Sequence, residues 1–239
     1  MQKIDYSLIL ACYNEGSTFE ESLNKILFEV RQFSGNWEIV FVEDKSTDKT
    51  REVLARNLKK IPNSRVIFHK KNLGRGKSVT DGIQVSRGSI CGFIDVDCEV
   101  SPSYIPLFIK EVENGCDMVV GKRYYERGFK SLTRVVASHT YAALIKVLLN
   151  IPVDDTEAGY KFFRKKTILP VLKKVKDKHW FWDTEICARA NLAGLKITQI
   201  PVLFVRRHEK KSTVKIMPDT IRYIRSILEF KKQIANVKK

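Results

Sequence analysis

The chain has 239 residues, 44% of them hydrophobic and 29% charged, with 43 Lys and Arg against 27 Asp and Glu and a formal net charge of +16. This is a globular composition, which excludes intrinsic disorder, collagen-like repeats and a disulfide scaffold. Five cysteines without a C-x-x-C pair, and no charged-then-apolar leader, argue against a structural zinc site and for a reduced cytoplasmic setting.

In chain order, apolar β-rich runs alternate with segments of helical period. Strands are expected at Ser7 to Cys12, Trp37 to Val42, Arg65 to His69, Ser89 to Ile94 and Asp117 to Gly121. Helices are expected between them, near Phe19 to Phe33, Lys49 to Lys60, Lys77 to Ser86 and Pro102 to Asn114, the last with Ser101 as cap and Pro102 as first helical residue. Such alternation predicts right-handed crossovers and an α/β fold, a doubly wound, mainly parallel sheet with helices on both faces.

Beyond Lys122 helical periods dominate, at Thr133 to Leu149, Lys165 to Val175 and Thr184 to Leu192, and Lys196 to Val205 is the one further strand expected. The reading is one domain over 1–217, with a binding half (1–121) and an acceptor half (122–217), followed by a basic amphipathic helix over 218–239. In that helix Ile221, Ile224, Ile227, Leu228 and Ile234 fall near one face. The longest apolar window, Val135 to Val153, is interrupted by His139, Lys146 and Asn150. It falls short of the roughly 20 uninterrupted apolar residues of a membrane span, so a soluble or peripheral protein is expected. The excess positive charge favours polyanions: nucleic acid, nucleotide phosphates or an anionic membrane surface.

Ligands of open α/β sheets bind beyond the carboxyl ends of the strands, and three of those ends are acidic here. They are Ala11-Cys12-Tyr13-Asn14-Glu15, Val42-Glu43-Asp44-Lys45-Ser46-Thr47-Asp48 and Phe93-Ile94-Asp95-Val96-Asp97. Asp95 and Asp97, one residue apart where the chain leaves the ladder, can turn toward one hard cation such as Mg²⁺ or Mn²⁺, with Glu99 as a third or water-mediated ligand. Asn72-Leu73-Gly74-Arg75-Gly76-Lys77-Ser78 is neither a phosphate loop, which needs glycine where Lys71 stands, nor a dinucleotide fingerprint, which needs a small residue where Val79 stands. What remains is a glycine-containing turn opening a helix, with Arg75 and Lys77 suited to a diphosphate.

Together with Val119-Val120-Gly121-Lys122-Arg123, these motifs occur in an order that resembles the family 2 inverting glycosyltransferases of the GT-A fold. Asp155-Thr156-Glu157-Ala158-Gly159-Tyr160-Lys161 and Trp180-Phe181-Trp182-Asp183-Thr184-Glu185, then Ile200-Pro201-Val202 and the basic run from Arg206 to Lys211, narrow the resemblance to polyprenyl-phosphate hexosyltransferases of the dolichyl-phosphate mannose synthase and glucosyltransferase type. The similarity covers roughly 5–215. Ala11 stands where proline is common, Glu43 where the family usually has aspartate, and Lys122 where it usually has serine.

The resemblance implies a sugar nucleotide of the GDP-mannose or UDP-glucose type, its nucleoside held by Ala11, Tyr13, Glu15, Val42 and Asp44. It further implies that Asp95, Val96 and Asp97 hold ribose, diphosphate and metal (Mg²⁺ or Mn²⁺), that Glu99 is a further ligand, and that Arg123 reaches a phosphate. Arg206, Arg207 and Lys211 would form a mobile basic loop over the phosphates. Asp155 is the implied base or acceptor-orienting acid, with Asp183 and Glu185 as alternatives. A lipid monophosphate acceptor is already anionic, so its attack needs positioning more than deprotonation.

The stretch from Arg206 to Lys239 carries eleven basic and three acidic side chains, half the excess charge of the chain. Each basic group near an anionic leaflet contributes about 1 kcal/mol, so the tail is expected to touch a membrane, whereas Thr133 to Leu149 is expected to pack in the core. A peripheral enzyme at the cytoplasmic face follows, with a membrane partner subunit as one way to replace missing spans. A nucleic-acid module has no use for acidic strand ends. A non-catalytic nucleotide-sugar binder would typically have lost Asp95, Asp97 or Asp155. Transfer to a glycan or protein remains the alternative within the enzyme class.

Overall fold

A computed structural model describes residues 3–32, 34–125, 149, 151–207 and 216–237. The expected strands stand within a few residues of their predicted bounds: β1 (Tyr6–Cys12), β2 (Trp37–Glu43), β3 (Ser64–Phe68), β4 (Ile90–Ile94) and β5 (Met118–Tyr125). Between them run α1 (Phe19–Gln32), α2 (Thr50–Leu58), α3 (Arg75–Val85) and α4 (Ile105–Glu113), the last entered through a short 3-10 turn, Pro102–Tyr104, capped by Ser101 Oγ. Of the expected helix at Thr133 to Leu149, all but Leu149 lies outside the described residues; Leu149 is buried.

One strand goes beyond the sequence reading. β6 (Tyr160–Arg164) lies antiparallel between β4 and β5, giving the seven-stranded order β3-β2-β1-β4-β6-β5-β7 with β7 at Ile197–Phe204. The remaining neighbours pair in parallel, so the sheet is mainly parallel. Lys161, inside β6, is completely buried, its Nζ bonded to Asp183 Oδ1 at 2.6 Å.

The pleat sends alternate residues to two cores. Leu8, Leu10, Ile39 and Phe41 meet Leu23, Ile26, Phe108 and Ile109 of α1 and α4. Ile9, Val40, Val42 and Phe93 meet Val79 and Ile83 of α3, Ile168 of α5 (Lys165–Leu172) and Ile186 of α6 (Trp182–Leu192). The cysteines are free, and burial pushes the Cys91 and Cys187 thiols up to about 12.

α7 (Ile216–Val237) departs from the expected amphipathic tail. Tyr223, Ile227 and Phe230 are buried in the second core, with Ile234 packed against it. Ile224 and Leu228, expected on the same face, are 46% and 53% exposed. The apolar face read from the sequence is thus split: one part closes the protein core, the other faces outward with Arg225 and Lys232.

Glu38 ties the sheet's amino end together. Its fully buried carboxylate accepts from Ser7 Oγ at 2.6 Å, Arg65 Nη2 at 2.9 Å and Arg87 Nε at 2.8 Å. Burial alone would raise its pKa, but the Ser7 and Arg87 hydrogen bonds and the Arg65 charge hold it below its ordinary value of 4.5. A depressed folded-state value stabilises the protein above about pH 4.5 and is lost as pH falls through the lowered value. The thermal midpoint is expected to fall on acidification below pH 4.5, and Glu38→Gln, already lower at neutral pH, to show a flatter acid dependence; parallel curves would exclude Glu38 as the linked group.

Candidate active site

A cavity of about 560 Å³ opens beyond the carboxyl ends of β1, β2 and β4. Just past each of these ends the backbone passes through the left-handed region, at Asn14 (φ 53°), Lys45 (φ 62°) and Cys98 (φ 54°). Non-glycine residues reach that region only at a cost of about 1–2 kcal/mol. The turns are cross-braced: Asn14 N–H donates to Ser46 Oγ at 3.1 Å, Thr47 N–H to Asn14 Oδ1 at 2.8 Å, and Glu15 N–H to Thr50 Oγ1 at 2.8 Å.

Of the residues picked from sequence, Ala11, Tyr13, Glu15, Asp44, Asp95, Val96, Asp97, Glu99, Arg123, Arg206 and Arg207 line this cavity. Val42 does not: it is fully buried in the core that α3 covers. Lys77 is also absent from the lining, its ammonium held one turn along α3 by Asp81. Lys211 lies outside the described residues.

Asp44 is 3% exposed and works on its surroundings. It accepts from Leu73 and Gly74 N–H at 2.8 Å each and pairs with His69 Nδ1 at 2.6 Å. The loop before α3 is thereby fixed against β2. Gly74, with φ 95°, cannot carry a side chain there, since a Cβ would lie 2.4 Å from His179 Nδ1 and from the Lys178 carbonyl.

Arg75, the first residue of α3, reaches two carboxylates. Its Nε and Nη2 donate to Asp95 Oδ1 at 2.9 and 2.6 Å, and its Nη1 to Asp183 Oδ2 at 2.5 Å. Burial would favour losing the proton, but Asp183 and Asp95 outweigh it and keep the guanidinium charged. Asp183 is spoken for on both oxygens, by Arg75 and by Lys161. Glu185, 2% exposed, accepts from Arg189 Nε at 2.6 Å and from the Lys176 and Asp177 N–H groups. Neither alternative acid lines the cavity.

Asp155 sits behind Arg123. Its Oδ2 accepts from Arg123 Nε at 2.7 Å and from the Arg123 backbone N–H at 3.0 Å, and its Oδ1 from Nη2 at 2.9 Å. Burial raises the Asp155 carboxyl, but the Arg123 charge and hydrogen bonds overcome this and hold it below the usual carboxylate range. That makes it a weak base and a firm orienter of Arg123. Arg207 is likewise anchored, its N–H to Glu99 Oε1 at 3.1 Å and its guanidinium to Ser22 Oγ and Glu21 Oε1 at 3.2 Å each.

The three-carboxylate metal set expected from sequence is not assembled. Among the described residues no three His, Cys, Asp or Glu side chains converge as a metal site, because Glu99 is turned to Arg207. Asp95, with a half-exposed side chain, and Asp97 still face one cavity. Two hard carboxylates suit a small divalent ion that keeps waters and substrate phosphates in its shell.

Sequence reasoning passed over Tyr125, His179 and Phe204 and quoted Asn72, Ser78 and Trp180 only within motifs, without a site role; all six are in the lining. The Trp180-Phe181-Trp182 run was a usable signal: Trp182 is fully buried, Phe181 packs edge-on against Tyr223 at 5.2 Å, and Trp180, 42% exposed, is left to the cavity.

Fold and site define an open α/β sheet of GT-A type with an acidic and arginine-lined cleft at its strand ends. The family model for glycosyl transferase family 2 matches residues 7–171, and the chain belongs to that family. It is 26% identical over 204 residues to glycosyltransferase AglD of Haloferax volcanii, covering 83% of this chain and 33% of that protein. It is 28% identical over 207 residues to the dolichyl-phosphate beta-glucosyltransferase ALG5A of Trichomonas vaginalis, covering 82% and 64%. The chain thus spans from a third to just under two thirds of the length of the curated relatives it matches. Among solved structures, glucosyl-3-phosphoglycerate synthase from Mycobacterium tuberculosis in complex with UDP superposes with a TM-score of 0.70 at 19% identity, over 96% of this chain and 80% of that one. S. aureus TarS in complex with UDP-GlcNAc gives 0.61 at 18%, over 94% and 65%. At such identities the likeness concerns the fold alone. Among the described residues no helix is long and apolar enough to cross a membrane.

Proposed function

We propose that the chain is a metal-dependent, inverting glycosyltransferase that moves a hexose from a nucleoside diphosphate sugar to a polyprenyl phosphate of the dolichyl type. The observation that carries this is the charge pattern of one cavity: Asp44, Asp95 and Asp97 at the strand ends, with Arg75, Arg123, Arg206 and Arg207 around them. The curated dolichyl-phosphate glucosyltransferases support the acceptor class. Solved complexes of glucosyl-3-phosphoglycerate synthase with Mn²⁺ and UDP-glucose support the donor and cation classes.

Asp44 and its fixed loop, with Ala11, Tyr13 and Glu15, form the nucleoside end. Asp95 and Asp97 would hold the cation, Mg²⁺ or Mn²⁺, which would supply Lewis-acid stabilisation of the departing diphosphate. Arg123, oriented by Asp155, and Arg206 offer positive charge to the phosphates. The acceptor phosphate oxygen bonds to the anomeric carbon as the carbon–oxygen bond to the diphosphate breaks, its electron pair leaving with the nucleoside diphosphate. One displacement inverts the configuration and gives a β-linked sugar phosphate. The phosphate nucleophile is already anionic, so a depressed Asp155 is no handicap. The enzyme works as a peripheral protein on an anionic cytoplasmic leaflet and has no nucleic-acid partner.

The decisive experiment incubates the purified protein with Mn²⁺ or Mg²⁺, radiolabelled sugar nucleotides and a polyprenyl phosphate, then counts the organic phase. Metal-dependent label from one donor is the expected result. Hydrolysis or binding of a donor without lipid label would move the acceptor to a glycan or protein; no interaction with any donor would end the reading. Asp155→Asn is expected to lower kcat/KM about tenfold while leaving the shape of the pH–rate profile intact. Loss of its acidic limb, with a fall of 10²-fold or more in kcat, would restore Asp155 as general base.

A further inference from the structure

From the cavity-lining Asp95 and Arg75 a chain of alternating charges runs inward to Asp183 and Lys161, which the proposed reaction does not use. Lys161 Nζ, fully buried, holds Asp183 Oδ1 at 2.6 Å; Asp183, 3% exposed at its side chain, holds Arg75 through its other oxygen; and Arg75 closes on Asp95 Oδ1 at 2.6 Å. The two cations also stack near one ring, Arg75 at 5.2 Å and Lys161 at 5.4 Å from the Phe93 centroid. Space is reserved for the outer pair: a Cβ on Gly159 would come within 1.7 Å of Asp95 Oδ2 and 2.5 Å of Arg75 Nη2. Gly159 also accepts the Asp95 backbone N–H at 2.9 Å, so backbone and side chain of Asp95 are set from the same place.

We propose that Arg75 is the built-in counter-cation of the carboxylate site: it neutralises Asp95 until a divalent cation displaces it, and Asp183, fixed by Lys161, retains the guanidinium at the cavity wall. The inference rests on the reading of Asp95 as a cation ligand. Its physics is competition for one carboxylate. Asp95 with Arg75 is a neutral pair in a partly buried site, so an incoming cation meets less negative charge than two bare aspartates would offer. Asp183 softens that competition, since it shares the guanidinium and lets it be given up without leaving a buried charge unpaired. Lys161 stops Asp183 from taking Arg75 altogether. Arg75 is therefore a positioning residue for Asp95, and Asp183 and Lys161 position Arg75.

Competition makes the variants move in opposite directions, which a purely structural role would not. The test is Mn²⁺ binding to the whole chain without nucleotide, followed by electron paramagnetic resonance of the free ion, with far-UV circular dichroism on every variant. Arg75→Gln leaves the Asp183 and Lys161 pair intact and is expected to bind Mn²⁺ about tenfold more tightly than the parent while losing turnover. Asp183→Asn throws the whole Arg75 charge onto Asp95 and is expected to bind it severalfold more weakly. Should Asp183→Asn fail to fold, Asp183→Asn combined with Lys161→Met removes both buried charges and carries the same expectation. Binding unchanged or weakened in folded Arg75→Gln, or detectable in neither parent nor Arg75→Gln, overturns the proposal. Parent binding that Asp95→Asn and Asp97→Asn leave untouched would instead remove the ligand assignment beneath it.

Discussion

Asp97→Asn is expected to lower kcat at least a thousandfold with no loss of folded protein. Asp97 sits three residues beyond the end of β4, half-buried and outside both hydrophobic cores. Its Oδ1 accepts the Glu99 N–H at 3.3 Å, a bond that the amide oxygen of asparagine can keep. The change therefore keeps that bond and removes a charge. In the proposed reaction that charge holds the cation against the departing diphosphate, and few things an enzyme does lower a barrier more than stabilising a developing negative charge. Turnover under saturating Mn²⁺ and donor, with the thermal midpoint measured in parallel, checks the expectation. Full activity in Asp97→Asn would remove the metal assignment. Inactivity with a collapsed midpoint would make Asp97 a structural residue.

The parts of this architecture that were legible in the sequence are those set by local rules. Strands β1 to β5 are short apolar runs with turns at each end, and acidic residues at strand exits announce a ligand because they have no place in a core. What escaped the sequence depends on partners far along the chain. β6 was not among the expected strands, and it carries Lys161, whose burial makes sense only once Asp183 is beside it. Asp155 read as a base or acceptor-orienting acid, and its ion-pair partner stayed out of view because Arg123 is 32 positions away. Val42 was assigned to the nucleoside by motif position, whereas its side chain is fully buried in the core before β2 ends. β5 runs on to Tyr125, past the expected end at Gly121, and that extension is what delivers Arg123 and Tyr125 to the site.

Helix α7 shows the same limit, and carries the second large effect. A count of isoleucine and leucine positions put Ile221, Ile224, Ile227, Leu228 and Ile234 together, but beside Ile227 and Ile234 the helix is anchored by two aromatic residues, Tyr223 and Phe230, which that count left out. Phe230 stands 6.0 Å from Phe181 edge-on, Arg189 lies 5.0 Å over the Phe230 ring, and the Tyr223 hydroxyl bonds Thr184. Ser226 Oγ reaches Asp177 Oδ2 at 3.5 Å, on the loop that brings His179 and Trp180 to the cavity. The inward face is thus core, and Phe230→Ala is expected to cost about 3–5 kcal/mol, seen as a lower urea midpoint. Removing 218–239 would strip that core and report on folding, not on membrane contact. The outward face isolates the membrane question: Ile224→Glu with Leu228→Glu is expected to leave the urea midpoint nearly unchanged while weakening sedimentation with phosphatidylserine vesicles, because both apolar insertion and attraction to the anionic surface are reduced. Unaltered sedimentation of the double variant would exclude α7 as the membrane-facing element, and a matching loss of stability would mean that Ile224 and Leu228 serve the core after all.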